Sequence, residues 1–152
     1  MNNCVFLENV GKATSSSSTS YSNGGAIRVS NGDLSVLDST FKKNSAFQVN
    51  PSPSAVGGGG AIYMESGPSC ANGICKLLVA GSVFELNEAS NEGGAVFIKQ
   101  VGSGEATLKV GWINNNAFLF DNTAGETCED VFVSNTIDTT TKCVSVGDNV
   151  SV

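Results

Sequence analysis

Phe41-Lys42-Lys43-Asn44 and Gly59-Gly60-Ala61-Ile62 are the two tetrapeptides that decide the fold, because both recur along the chain. The first, Phe-x-x-Asn, appears again as Phe6-Leu7-Glu8-Asn9 and Phe84-Glu85-Leu86-Asn87. A fourth copy has leucine in front, Leu119-Phe120-Asp121-Asn122. The asparagines lie 35, 43 and 35 residues apart, and an alanine follows each of them closely. The second motif, Gly-Gly-Ala-Ile/Val, appears also as Gly24-Gly25-Ala26-Ile27 and Gly93-Gly94-Ala95-Val96. A degenerate copy, Cys128-Glu129-Asp130-Val131, keeps only the last position. The two motifs alternate strictly, and an internal repeat of this length is the signature of a stacked architecture.

Outward from the motifs, apolar and polar residues alternate with the period of a half-buried strand. Ile27-Arg28-Val29, Ile62-Tyr63-Met64, Val96-Phe97-Ile98 and Val131-Phe132-Val133 follow the glycines. A second short strand is expected at Leu34-Ser35-Val36, Leu77-Leu78-Val79, Leu108-Lys109-Val110 and Val144-Ser145-Val146, and a third around Phe41, Phe84 or Leu119. No window keeps a helical period. The pattern predicts an all-β chain forming a parallel β-helix of about four to five rungs with inserted loops, each rung built from three short strands. A sandwich of hairpins has no reason to repeat the same residue at the same place in every unit.

Rungs stack about 4.8 Å apart, so each residue sits on its counterpart in the next rung. Phe6, Phe41, Phe84 and Leu119 are expected to form one internal stack. Asn9, Asn44, Asn87 and Asn122 are expected to form an amide ladder at a turn, since asparagine tolerates left-handed backbone angles and pairs with identical neighbours. The glycine pairs supply positive φ at the entry to a strand. If Ile27 and Val29 point inward, the column Arg28, Tyr63, Phe97, Phe132 points outward, and it is either a candidate exposed binding column or covered by an inserted loop.

GGA(I/V) alternating with FxxN resembles the polymorphic outer membrane protein repeat of chlamydial surface autotransporters, from about Phe6 to Val133. The resemblance implies a right-handed parallel β-helix of the pectin-lyase-like type and an extracellular or cell-surface role, usually adhesion. The fourth repeat departs from the pattern in lacking both glycines and the phenylalanine, and no membrane-barrel segment is recognisable.

Composition narrows the chemistry. The 152 residues include no histidine and one arginine, Arg28, so histidine triads, histidine zinc sites and paired arginine clamps are excluded. Eight basic against 14 acidic residues give a net charge of −6, which argues against nucleic acid as a partner. No apolar run approaches the roughly 20 residues of a membrane span, and no N-terminal stretch reads as a signal peptide. No cofactor or metal is expected. Cys70 with Cys75 and Cys128 with Cys143 are disulfide candidates, which points to an oxidising compartment. Cys4 is expected to be unpaired or to pair outside the segment. Loops are expected at 13–23, 47–58, 66–76 and 111–117, and both ends read as mid-repeat, so residues 1–152 are expected to be one β-helix segment of a longer extracellular protein.

Two function classes follow. The first is a non-enzymatic surface protein acting in adhesion or as part of an extracellular assembly. Its partner is a protein or glycan at a cell surface, or neighbouring copies stacked end to end. The alternative is a polysaccharide lyase or hydrolase, since the implied fold hosts such enzymes, with Asp121, Glu126, Glu129 and Asp130 as the candidate acids. Fold alone does not imply that activity.

Overall fold

The computed structural model describes residues 1–13, 22–48, 58–66, 76–90, 93–100, 109–113, 118–120, 123–124, 131–135 and 141–144. Of these, side chains are described up to Lys99, with the exception of Gln48, Ser66 and Lys76. All regular elements among these residues are strands, and they wind as successive coils.

The first coil holds β1 (Val5–Leu7), β2 (Val10–Ala13), β3 (Ile27–Ser30) and β4 (Leu34–Leu37). The second holds β5 (Thr40–Lys42), β6 (Ser45–Gln48), β7 (Ile62–Ser66) and β8 (Lys76–Ala80). The third holds β9 (Val83–Glu85), β10 (Glu88–Ala89), β11 (Val96–Gln100) and β12 (Lys109–Ile113). The fourth holds β13 (Phe118–Phe120), β14 (Thr123–Ala124) and β15 (Val131–Asn135), and ends on β16 (Thr141–Val144). Like strands of successive coils pair in parallel, giving the sheets β1-β5-β9-β13, β2-β6-β10-β14, β3-β7-β11-β15-β16 and β4-β8-β12. The chain is therefore a parallel β-solenoid.

The first three coils each have four strand positions, where the sequence pattern predicts three. The extra strand is the short run after each asparagine, β2, β6, β10 and β14. One register of it holds only small residues, Gly11, Ala46, Ala89 and Ala124, of which Ala46 and Ala89 are buried. Glycine and alanine carry too little apolar surface to signal a strand in the sequence, so only the alanine that follows each asparagine is visible there.

Register places the repeated residues opposite one another. Phe6 pairs with Phe41, Phe41 with Phe84, and Phe84 with Leu119. Ile27, Ile62, Val96 and Val131 are in line. The core lies inside the coil and contains Val36, Phe41, Ile62, Met64, Leu77, Val79, Phe84, Val96 and Ile98, with Phe6, Ile27, Val29 and Leu34 packed against it. The fourth coil thus keeps register although it has lost both glycines, with Leu119 at the phenylalanine position and Val131 at the isoleucine position.

Two details at the end of the chain differ from the sequence reading. The third coil's last strand runs on to Ile113, so Trp112 belongs to β12 rather than to a loop. β16 pairs antiparallel with β15, Val131 opposite Val144 and Phe132 opposite Cys143, and of the strand expected at 144–146 only Val144 lies among the described residues. A strand returning directly along the edge of β15 satisfies its outward-facing backbone groups without a long crossover.

Candidate functional surfaces

The FxxN turn is built by backbone geometry first. Glu8, Lys43 and Leu86, the residues just before the asparagines, have φ of 54°, 54° and 55°. The left-handed residue is thus the neighbour of asparagine and not asparagine itself, which corrects the sequence argument. The reversal frees the asparagine side chain to lie along the stacking axis. Asn9 Nδ2 donates to Asn44 Oδ1 at 2.9 Å, and Asn44 Nδ2 donates to Asn87 Oδ1 at 2.9 Å. Each Oδ1 also accepts a backbone N–H from the coil before, from Asn9 at 3.1 Å and from Asn44 at 3.0 Å. Asn44 Nδ2 further reaches Phe6 O, and Asn87 Nδ2 reaches Phe41 O. Asn44 and Asn87 are fully buried. A buried amide with its donors and acceptor bonded is stable, and one left open is costly. Asn122 lies outside the described residues.

Beside this ladder runs a second one that the sequence reading missed. Ser82 Oγ accepts the N–H of Ser39 at 3.1 Å and donates to Ala80 O at 3.0 Å. Ser39 Oγ accepts the N–H of Cys4 at 3.2 Å and donates to Leu37 O at 2.7 Å. Asn3, Asp38 and Gly81 precede these residues with φ of 52°, 46° and 58°. The signal was a turn-former followed by serine or cysteine two residues before each phenylalanine. Cys4 stands at the serine position, half-buried and unpaired, with its thiol donating weakly to Asn2 O at 3.4 Å.

The phenylalanines stack with ring centroids 4.6 Å apart for Phe6 and Phe41 and 4.7 Å for Phe41 and Phe84, planes within 5°. Those spacings are the strand spacing, so the backbone imposes the face-to-face arrangement that free rings avoid.

The candidate binding column does not form an open face. Tyr63 is 1% exposed and Phe97 is 0% exposed, and their rings stack at 5.3 Å. Two large rings in register gain from being covered, since apolar surface left in water is unfavourable. Arg28 remains exposed, its guanidinium carbon 5.8 Å from the Tyr63 ring centroid, and the Tyr63 hydroxyl donates to Glu65 Oε2 at 3.0 Å. The side chain of Phe132 lies outside the described residues.

What the solenoid does expose is a set of apolar side chains around the FxxN corner. Val5 is 71%, Val10 63% and Leu7 54% exposed in the first coil, joined by Phe47 in the second and Leu86 in the third. Two ion pairs lie near the same corner, Lys42 with Glu85 at 2.9 Å and Lys43 with Glu8 at 3.7 Å. Both are substantially exposed, so they contribute little stability.

Among the described residues no group of three or more cysteines and acids is placed to hold a metal ion. Cys70, Cys75 and Cys128 lie outside the described residues, as does the side chain of Cys143. The acids Asp121, Glu126, Glu129 and Asp130 lie outside them as well.

One coil carries every feature of the repeat: Asp38 in the left-handed turn, Ser39, Phe41 and Asn44 in the three stacks, and Gly59-Gly60-Ala61-Ile62 at the entry to β7. Residues 38–65 match the family model of the Chlamydia polymorphic membrane protein repeat. The polymorphic membrane protein repeat here spans β5, β6 and most of β7, so its defining residues are the ones that bond coil to coil. No curated protein and no solved structure matches the chain. Among the described residues no helix is long and apolar enough to cross a membrane.

Proposed function

We propose that the chain is a section of a cell-surface β-solenoid that acts in adhesion and carries no catalytic centre. The observation that carries this reading is the use of the repeat residues. Asn44, Asn87, Ser39, Ser82, Phe41 and Phe84 all point along the stack, where their polar groups and rings meet the next coil. They build a rod, and binding falls to the outward corner with Val5, Leu7 and Val10. The polymorphic membrane protein repeat supports a surface location. An oxidising location fits disulfides between Cys70 and Cys75 and between Cys128 and Cys143, with Cys4 left as the one thiol.

The partner is a protein or glycan displayed on another cell. Beads coated with the purified chain are expected to adhere to such cells. A variant with Val5, Leu7 and Val10 each replaced by serine should fold, by circular dichroism, and adhere less. Wild-type beads that bind no better than uncoated ones would sink the adhesion reading. Assembly by end-to-end stacking has less in its favour, because β16 occupies the edge of β15 that a following copy would need.

A further inference from the structure

Asn-Gly occurs at Asn23-Gly24, Asn31-Gly32 and Asn72-Gly73, and the third pair lies outside the described residues. In this dipeptide the glycine nitrogen can attack the asparagine side-chain carbon, because no Cβ shields it. The structure separates the first two pairs sharply.

At Asn23-Gly24 the nucleophile is occupied. The Gly24 N–H donates to Gly58 O at 3.1 Å. Gly24 sits at φ 75°, and a Cβ built there would run into Ile27 O, so its surroundings are tight. The Asn23 side-chain oxygen is buried. The peptide plane between these residues is therefore fixed within the stack.

At Asn31-Gly32 the opposite holds. Asn31 is exposed, in the turn between β3 and β4. Its own N–H is anchored to Glu65 O at 2.8 Å, but the Gly32 N–H has no hydrogen-bond partner among the described residues. Gly32 has room, since a Cβ built there meets only Val29 Cγ1 at 3.7 Å, and its φ is not left-handed.

We propose that Asn31 is a site of spontaneous deamidation in the folded protein and that Asn23 is protected. The Gly32 amide nitrogen loses its proton and bonds to Asn31 Cγ. The Cγ–Nδ2 bond breaks and the side-chain nitrogen leaves as ammonia, giving a five-membered succinimide. Water then opens the ring. Attack at Cγ restores the normal peptide bond as aspartate, and attack at the main-chain carbonyl carbon gives isoaspartate. The net change is water in and ammonia out, with no oxidant or reductant. Either product adds a negative charge two residues before Asp33. Isoaspartate also inserts a carbon into the main chain at a residue bonded to the next coil, and so loosens the β3–β4 turn.

Trypsin cleaves after Lys12, Arg28, Lys42, Lys43 and Lys76, so the three pairs fall in separate peptides, 13–28, 29–42 and 44–76. The intact chain is held at mildly alkaline pH, native in one arm and in denaturant in the other, then digested and read by mass spectrometry. In the native arm the 29–42 peptide is expected to gain the deamidated mass, as a chromatographic pair of aspartate and isoaspartate. The 13–28 peptide should do so about five- to tenfold more slowly, the factor for first breaking one backbone hydrogen bond. In denaturant the two rates converge. Gly32→Ala, which fits the turn, should slow Asn31 strongly while leaving Asn23 unchanged. Equal native rates at Asn23 and Asn31, no native reaction at Asn31, or an unchanged Asn31 rate in Gly32→Ala would each overturn the proposal.

Discussion

Asn44 sits where two kinds of demand meet. Its Oδ1 accepts from the backbone and the side chain of Asn9, while its own donors serve Asn87 Oδ1 and Phe6 O. Alanine there removes the acceptor of the Asn9 N–H and side-chain amide, and takes one donor each from Phe6 O and from Asn87 Oδ1, which keeps the backbone N–H of residue 44. Asn44→Ala is expected to cost about 3 kcal/mol, read as a lower urea midpoint at unchanged slope. Asn9 stands at the first coil and is exposed, so Asn9→Ala should cost only about 1 kcal/mol in the same titration. Equal losses at both positions would show that the ladder has no buried centre. The glycines divide in a similar way. Gly59 needs its φ of 72°, whereas Gly60 needs the space, because a Cβ there meets Gly94 O and the Glu88 backbone at 2.6 Å. Gly60→Ala should therefore cost about 3 kcal/mol or more by denaturation, since backbone of the next coil cannot move aside.

At the scale of the element, the phenylalanine strand is the part of the coil that tolerates replacement in kind. Leu119 already stands opposite Phe84 in β13 and keeps the register. Phe41→Leu is therefore expected to cost about 1.5 kcal/mol or less, and Phe41→Ala about 3–5 kcal/mol, from urea midpoints. The serine ladder makes the strand's entry equally specific. Ser82 is buried and bonded on both sides, so Ser82→Ala should cost about 1–3 kcal/mol, while Cys4→Ser should leave stability unchanged or slightly higher. The β2-type strands show why part of the coil was hidden in the sequence. One register of them holds only glycine or alanine, which carries no strand signal of its own. Whether the Tyr63–Phe97 column is open or covered stayed undecided in the sequence for a related reason. Alternation tells which residues share a face of β7 and β11, but not whether something covers that face.

At the scale of the molecule, stability is the sum of coils and the interfaces between neighbours. Both ladders run in one direction, with donors in each coil aimed at acceptors in the following one. Among the described residues, parallel pairing in this sheet runs as far as β15, where β16 lies antiparallel along its edge. Purified chains are therefore expected to show no concentration-dependent growth into filaments in sedimentation velocity. Filaments that lengthen with concentration would show that β16 yields its place to a neighbouring copy.

The sequence by itself determined the parallel solenoid, the register of its coils and the residues that stack, because a stack repeats the same contact in every turn and so writes the same residue in every repeat. It also determined that histidine chemistry is absent. Only the tertiary structure decided the short strand after each asparagine, the serine ladder, the burial of Tyr63 and Phe97, the antiparallel turn of β16 and the difference between two identical Asn-Gly pairs. These depend on what lies beside a residue in the neighbouring coil, and a period along one chain does not encode which face is covered or which amide is already bonded.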